Sequence, residues 1–179
     1  VLTSFRVKNG YVKQLETAIS KRQIDFEELN VDVQDAAMVK TIEDTLSSND
    51  EMKQLFAFEI IEGLPLHPWK NTISSLFKNS SLNVRKRILN LAWDEQNIIS
   101  NTQLIEAIKI KDDVSADAIV ISGKRKLIEI QNDLEKLLDD QSQELRSAAA
   151  AAIIDIDSMS QDKAKEILNN ALESDNEQT

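Results

Sequence analysis

The chain has 179 residues, 41% of them hydrophobic, enough for one domain with a core of its own, so disorder is a poor reading of the whole. Three glycines and two prolines are too little turn chemistry for a many-stranded sheet, which points to an all-α fold, and the absence of cysteine excludes disulfides, thiolate catalysis and Cys-ligated zinc or iron–sulfur sites. With 31 Asp and Glu against 21 Lys and Arg the formal charge is −10, a field that repels phosphate backbones and anionic lipid.

At the entry the balance is reversed: Arg6, Lys8, Lys13, Lys21 and Arg22 stand against Glu16 alone. A basic helix is expected at about 10 to 22, with a link that brings residues 1–35 to the first apolar periodicity. VLTSFRVKNG lacks the apolar core of a signal peptide, and no run of about 18 apolar residues is present to span a membrane. A start on Val1 rather than Met leads us to expect a piece of a longer chain or a processed one.

From residue 36 onward two apolar faces recur. Met38, Ile42 and Leu46 are echoed by Trp69, Ile73 and Phe77, by Ser100, Leu104 and Ile108, and by Ile130, Leu134 and Leu138. Downstream of each triplet lies a second helical face: Ala57, Ile60, Ile61 and Leu64 after Lys53; Val84, Ile88, Leu91 and Ala92; Val114, Ala118, Ile121 and Ser122; Leu145, Ala149, Ala152, Ile153 and Ile156. The copies recur about every 30 residues, so each unit is a helical pair, and pairs at this period stack into an α-solenoid because each covers its neighbour's apolar face. LSSND, FKNSS, IKDD and LDDQS join the helices within units and supply N-caps, while EGLPLHP, WDEQN and the SGK around Gly123 separate the units. The expected units are about 36–66, 67–97, 98–123 and 124–157, followed by a capping helix at 161–173 and a polar tail, SDNEQT.

Two units read NSSLNVRKRIL and DQSQELRSAAA. With Asn79 six residues before Arg85, and Asp140 six before Arg146, they resemble HEAT repeats of the short, PBS-lyase-like form, in which such pairs make a ladder between units. Ser48 with Gln54, and Lys109 with Ser115, stand at those places in the other two units. The resemblance covers roughly 36 to 157 and implies a right-handed α-solenoid of about four pairs. Tyr11, Lys21, Arg22, Ile24, Asp25 and Leu29, leading into the first pair, further resemble the entry to the soluble HEAT-repeat region attached to bacterial transporters of the ADP/ATP-translocase (major-facilitator) type. That likeness implies a module on the cytoplasmic side, where positively charged flanks of membrane helices remain.

Chemistry is sparse. His67 is the only histidine, which excludes a His–His metal pair and HExxH, and there is no G-x-S-x-G for it to serve; it is expected to cap or pack against Trp69. Asp112 with Asp113 and Asp139 with Asp140 fall where carboxylates cap helix N-termini. Glycine at 10, 63 and 123 alone gives no phosphate loop. Arg85-Lys86-Arg87 and Lys124-Arg125-Lys126 are the candidate interaction residues; Trp69 and Trp93 are both expected in the core.

The expectation is an all-α, non-catalytic scaffold without metal or cofactor, with an N-terminal helix, four HEAT-like pairs and a cap. It would bind a protein or another domain of its own chain in the cytoplasm, take no nucleic acid, and meet a membrane only through an attached transporter. Two alternatives stay open, since a fold does not fix a function: a HEAT-like enzyme of the bilin-lyase type and a HEAT-like DNA-binding protein. Of the five alanines in ELRSAAAAAIIDI, Ala149 and Ala152 hold inward positions, Ala148 and Ala151 flank them and Ala150 is expected to face outward, so the last inner helix should pack closely.

Overall fold

A computed structural model describes Thr17, residues 31–157 and residues 160–176. Apart from Thr17, the expected helix at 10 to 22, with Tyr11, Lys21 and Arg22, lies outside the described residues, as do Ile24, Asp25 and Leu29 of the link. The described residues form helices and turns only: α1 (Ala36–Leu46), α2 (Glu51–Ile60), α3 (Lys70–Asn79), α4 (Leu82–Asp94), α5 (Asn101–Ile110), α6 (Ser115–Lys124), α7 (Gln131–Leu137), α8 (Gln143–Ile156) and α9 (Gln161–Asn176). Short 3₁₀ turns, His67–Trp69 and Ile128–Ile130, lead into α3 and α7. Among the described residues no helix is long and apolar enough to cross a membrane.

The polar connections act as the sequence expects. Asp35 accepts the Ala37 N–H at 2.9 Å and opens α1; Asp50 accepts the N–H groups of Met52 and Lys53 and opens α2. Ser100 and Gln103 make a reciprocal capping box on α5, and Ser142 accepts the Leu145 N–H at the start of α8. Asp112 accepts the Val114 N–H at 3.2 Å ahead of α6. Gly63, at φ 77°, takes the left-handed conformation that closes the chain after α2.

Gly123 corrects the sequence reading. It is not a breaker: it is buried inside α6, and a Cβ built on it would lie 2.5 Å from the Cα of Ala152 in α8. The stop comes three residues later, where Lys126 takes φ 54° while its N–H donates to Gly123 O and the Leu127 N–H donates to Ser122 O. This is a Schellman closure with lysine at the position that usually holds glycine.

Contacts divide the chain into two compact units, Val1–Ile88 and Leu89–Thr179. In the first, α1 packs on α2, on α3 and on the turn before α3. Trp69 is completely buried, and its indole N–H donates to Val39 O at 3.0 Å, so one side chain ties two successive pairs. In the second, α5 packs on α6, α6 on α8, α7 on α8 and α8 on α9. In this second unit α6 is thus covered by its own partner, α5, and by the next inner helix, α8, which is sequential packing of helix pairs.

The apolar faces read from the sequence are buried with few exceptions: Met38, Ile42, Leu46, Ile73, Phe77, Leu104, Ile108, Ile130, Leu134 and Leu138 in the first helices, with Ala57, Ile60, Val84, Ile88, Ala118, Ile121, Ala149 and Ile153 among the second. A further register of burial emerges one position beyond the expected stripe: Phe58, Leu89, Ile119 and Ala150, all at 1% exposure or less. Ala150 therefore faces inward, contrary to expectation, because α8 is enclosed by α6, α7 and α9 together and buries more than one stripe. Trp93 is the opposite correction: it lies one position past the buried Ala92, about 100° round the helix, and is 43% exposed.

Candidate interaction site

The two basic clusters lie in different units, and each is tied into its own packing. In the first, Arg85 lies over the Phe77 ring at 5.5 Å from its centroid, and Arg87 donates to the Glu62 carboxylate at 2.8 Å. Lys86 is exposed. In the second, Lys124 sits 3.9 Å from the Trp93 ring centroid and its ammonium donates to the Trp93 main-chain oxygen at 2.7 Å. Arg125 donates to Ile99 O at 2.9 Å, to Asn101 Oδ1 at 3.3 Å and to Ala92 O at 3.4 Å. Partial burial pulls its pKa below the ordinary guanidinium value.

These contacts have a common cause. The last carbonyls of α4 have no partners within the helix and carry its negative pole, and two cations from the end of α6 converge on them. Lys124 and Arg125 thereby fix the end of α4. Lys126 and Lys86 are the members of the two clusters left exposed with no side-chain partner among the described residues.

The ladder positions have a different logic from the one the resemblance implies. Arg146 donates at 2.7 Å and 2.9 Å to the main-chain oxygens of Asp140 and Gln141, not to the Asp140 carboxylate. That carboxylate instead accepts the Lys111 ammonium at 2.6 Å and the Ser142 N–H at 3.0 Å, and these bonds hold its pKa below the usual carboxylate range. Asn79 is exposed at the end of α3.

The two units that lack arginine show what the position does. Gln54 donates to Leu46 O and Ser48 O at 3.2 and 2.8 Å, and the Ser115 hydroxyl donates to Ala107 O at 2.8 Å. In two of the four pairs, then, the side chain at this register donates to the carbonyl end of the helix before it, and in a third Arg146 donates to the connection that follows that helix. Sequence reading treated Gln54 and Ser115 as departures because it compared residue identity; the shared signal was a hydrogen-bond donor one position after the start of each inner face.

For catalysis the described residues offer little that is organised. His67 is exposed, and no group of three His, Asp or Glu residues comes together to hold a metal. Asp139 pairs with Lys163 at 2.7 Å, so the neighbouring carboxylates Asp139 and Asp140 have different cations.

The fold defines the class to which this chain belongs: an all-α protein of sequentially packed helix pairs. Neither a protein-family model, nor a curated protein, nor a solved structure matches it.

Proposed function

We propose that the chain is a non-catalytic helical-repeat scaffold of the HEAT-like α-solenoid kind, which binds a protein partner or another domain of its own chain. One observation carries the reading: five buried registers recur at a spacing near 30 residues through four helix pairs, the arrangement by which repeat proteins build extended binding surfaces from units that cannot stand alone. Burial is satisfied by neighbouring pairs, which leaves the outward helix faces to vary with the partner. Exposed Lys86 and Lys126 in an acidic chain favour an acidic contact on that partner.

The proposal extends to place and context: a cytoplasmic module joined to a membrane transporter, supported by the basic residues 1–22 and their likeness to such an entry. Reading the coding sequence ahead of Val1 tests that part directly. About twelve apolar spans there would bear it out, and a polar stretch would end it.

Photocrosslinking from a benzophenone residue at position 86 or 126, in the full chain inside its native cell, tests the binding role. A reproducible adduct with one protein, or within the same polypeptide, is expected. Salt-dependent binding of duplex DNA that disappears on charge reversal at Arg85, Lys86 and Arg87, or a visible chromophore attached to the protein, would overturn it.

A further inference from the structure

Helices α6 and α8 approach closely because Gly123 has no side chain and Ala152 has a small one. Their outer partners do not follow: α5 packs on α6 and α7 on α8, but α5 and α7 make little direct contact with each other. An open groove of about 270 Å³ lies between them. Its floor is apolar, formed by Ile105 and Ile108 from one wall and Ile130 and Leu137 from the other. Three lysines, Lys109, Lys111 and Lys136, line it against the single acid Asp133. In a chain of net charge −10 this local excess of cations runs against the whole.

Two of those lysines hold carboxylates, the exposed Lys136 with Asp133 at 3.2 Å and Lys111 with the largely covered Asp140 at 2.6 Å. The exposed Lys136–Asp133 pair is worth little and exchanges readily for another carboxylate. Lys109 has no ion pair among the described residues. The volume falls below the roughly 300–1,000 Å³ typical of sites that enclose a whole small molecule, and suits instead the anchoring side chains of a larger ligand lying along the two helices. An apolar floor between two helical walls, edged by charge, is the recognition mode of an amphipathic helix in a groove, with anchors at i, i+3 or i+4, and i+7.

We propose that the groove between α5 and α7 binds an amphipathic helix of a partner protein, in which Asp or Glu residues border the apolar stripe. The proposal deepens the scaffold reading and rests on it: the seam of small residues between inner helices opens the groove between outer ones, and the lysines select the sign of what enters.

The test uses the full chain and a displayed library of helical peptides of about 18 residues, with leucines fixed at helical spacing and flanking positions varied among Glu, Lys, Gln and Ala. Glu should be enriched beside the leucines. Binding of the selected peptides should weaken about tenfold or more with Lys109→Glu or Lys136→Glu, be lost with Ile105→Asp, and stay unchanged with Leu172→Asp on the exposed face of α9. Circular dichroism separates loss of fold from loss of binding at Ile105, and the two lysine variants leave the core untouched. Enrichment of Lys, no charge bias, no enrichment at all, or peptides indifferent to all three groove variants would overturn the groove. Peptides that bind elsewhere would do so while leaving the scaffold reading intact; the DNA and chromophore outcomes bear on that reading alone.

Discussion

The described part of the first unit fills its core with rings, Phe56, Phe58, Trp69 and Phe77, whereas the second has one aromatic residue, Trp93, and leaves it outside the core. At one repeated register the first unit buries Phe58 and the second Ala150, and both are completely enclosed. The same positional code thus tolerates a large change in side-chain volume. Rings fill the space between helices in one unit; in the other, Gly123 and the alanines of α8 let backbones meet and gain dispersion contacts directly.

The contrast predicts opposite sensitivities. In the first unit, removal of volume should hurt most. Trp69→Ala empties the space of a fully buried indole and leaves Val39 O without its donor, and we expect a loss of about 3–5 kcal/mol in denaturant unfolding followed by far-UV circular dichroism. A loss below about 1 kcal/mol would mean that the ring does not hold the two pairs together.

In the second unit, addition of volume should hurt. Gly123→Ala gains about 1 kcal/mol of helix propensity, yet its Cβ would meet the Ala152 Cα at 2.5 Å, so the net change should be a destabilisation of about 1–3 kcal/mol. Ala152→Gly should not rescue it, because the nearer obstacle is main chain; full rescue would show that only the 2.8 Å contact with the Ala152 Cβ mattered. Ala149→Leu and Ala150→Leu should each cost a similar amount, since both alanines are completely buried. A harmless Ala150→Leu would restore the outward placement expected from sequence.

These cases mark what sequence could and could not supply. Helix pairs, N-caps and the principal apolar stripes were legible because each rests on local spacing: Asp50 and Ser142 precede apolar periodicities, and Met38, Ile42 and Leu46 recur thirty-odd residues on. Burial of Ala150 was not, because alanine is equally at home on a surface and the third neighbour of α8 comes from elsewhere in the chain. Gly123 was misread for a related reason: glycine marks both a stop and a close approach, and Ala152, the residue that decides between them, lies almost a full repeat away. At the candidate site the basic clusters were found, but the engagement of the second with the end of α4 was hidden, since Trp93 O and Ala92 O acquire a cation only through tertiary packing.

A smaller effect, of the reverse sign, is expected where α6 ends. Lys126 occupies a left-handed conformation at φ 54° that costs an L-residue about 1–2 kcal/mol, part of which glycine returns in unfolded-state entropy. Lys126→Gly should therefore stabilise the protein by about 0.5–1 kcal/mol in thermal or denaturant unfolding. A destabilised variant would mean that the lysine side chain contributes more to the fold than its exposure suggests.

The smallest effect concerns the seam between successive turns, which in the second unit relies on a charge: Lys111 reaching Asp140. The Lys111 ammonium first, and then the Ser142 N–H, hold the Asp140 carboxyl below its ordinary value, so the folded state binds that proton less readily than the unfolded chain does. A group depressed on folding contributes fully above its unfolded pKa of about 3.9 and loses that contribution as the pH falls through the lower, folded value. Asp140→Asn should accordingly be less stable than the parent at pH 6 to 7, with the difference shrinking below about pH 4 and vanishing once both states of the parent are protonated. High salt should reduce the same difference, since the pair is exposed on its Lys111 side. A gap between the two proteins that is constant from neutral pH to strong acid would assign the role of Asp140 to its main-chain and turn geometry, and the Lys111 contact would then be incidental to how one turn is held against the next.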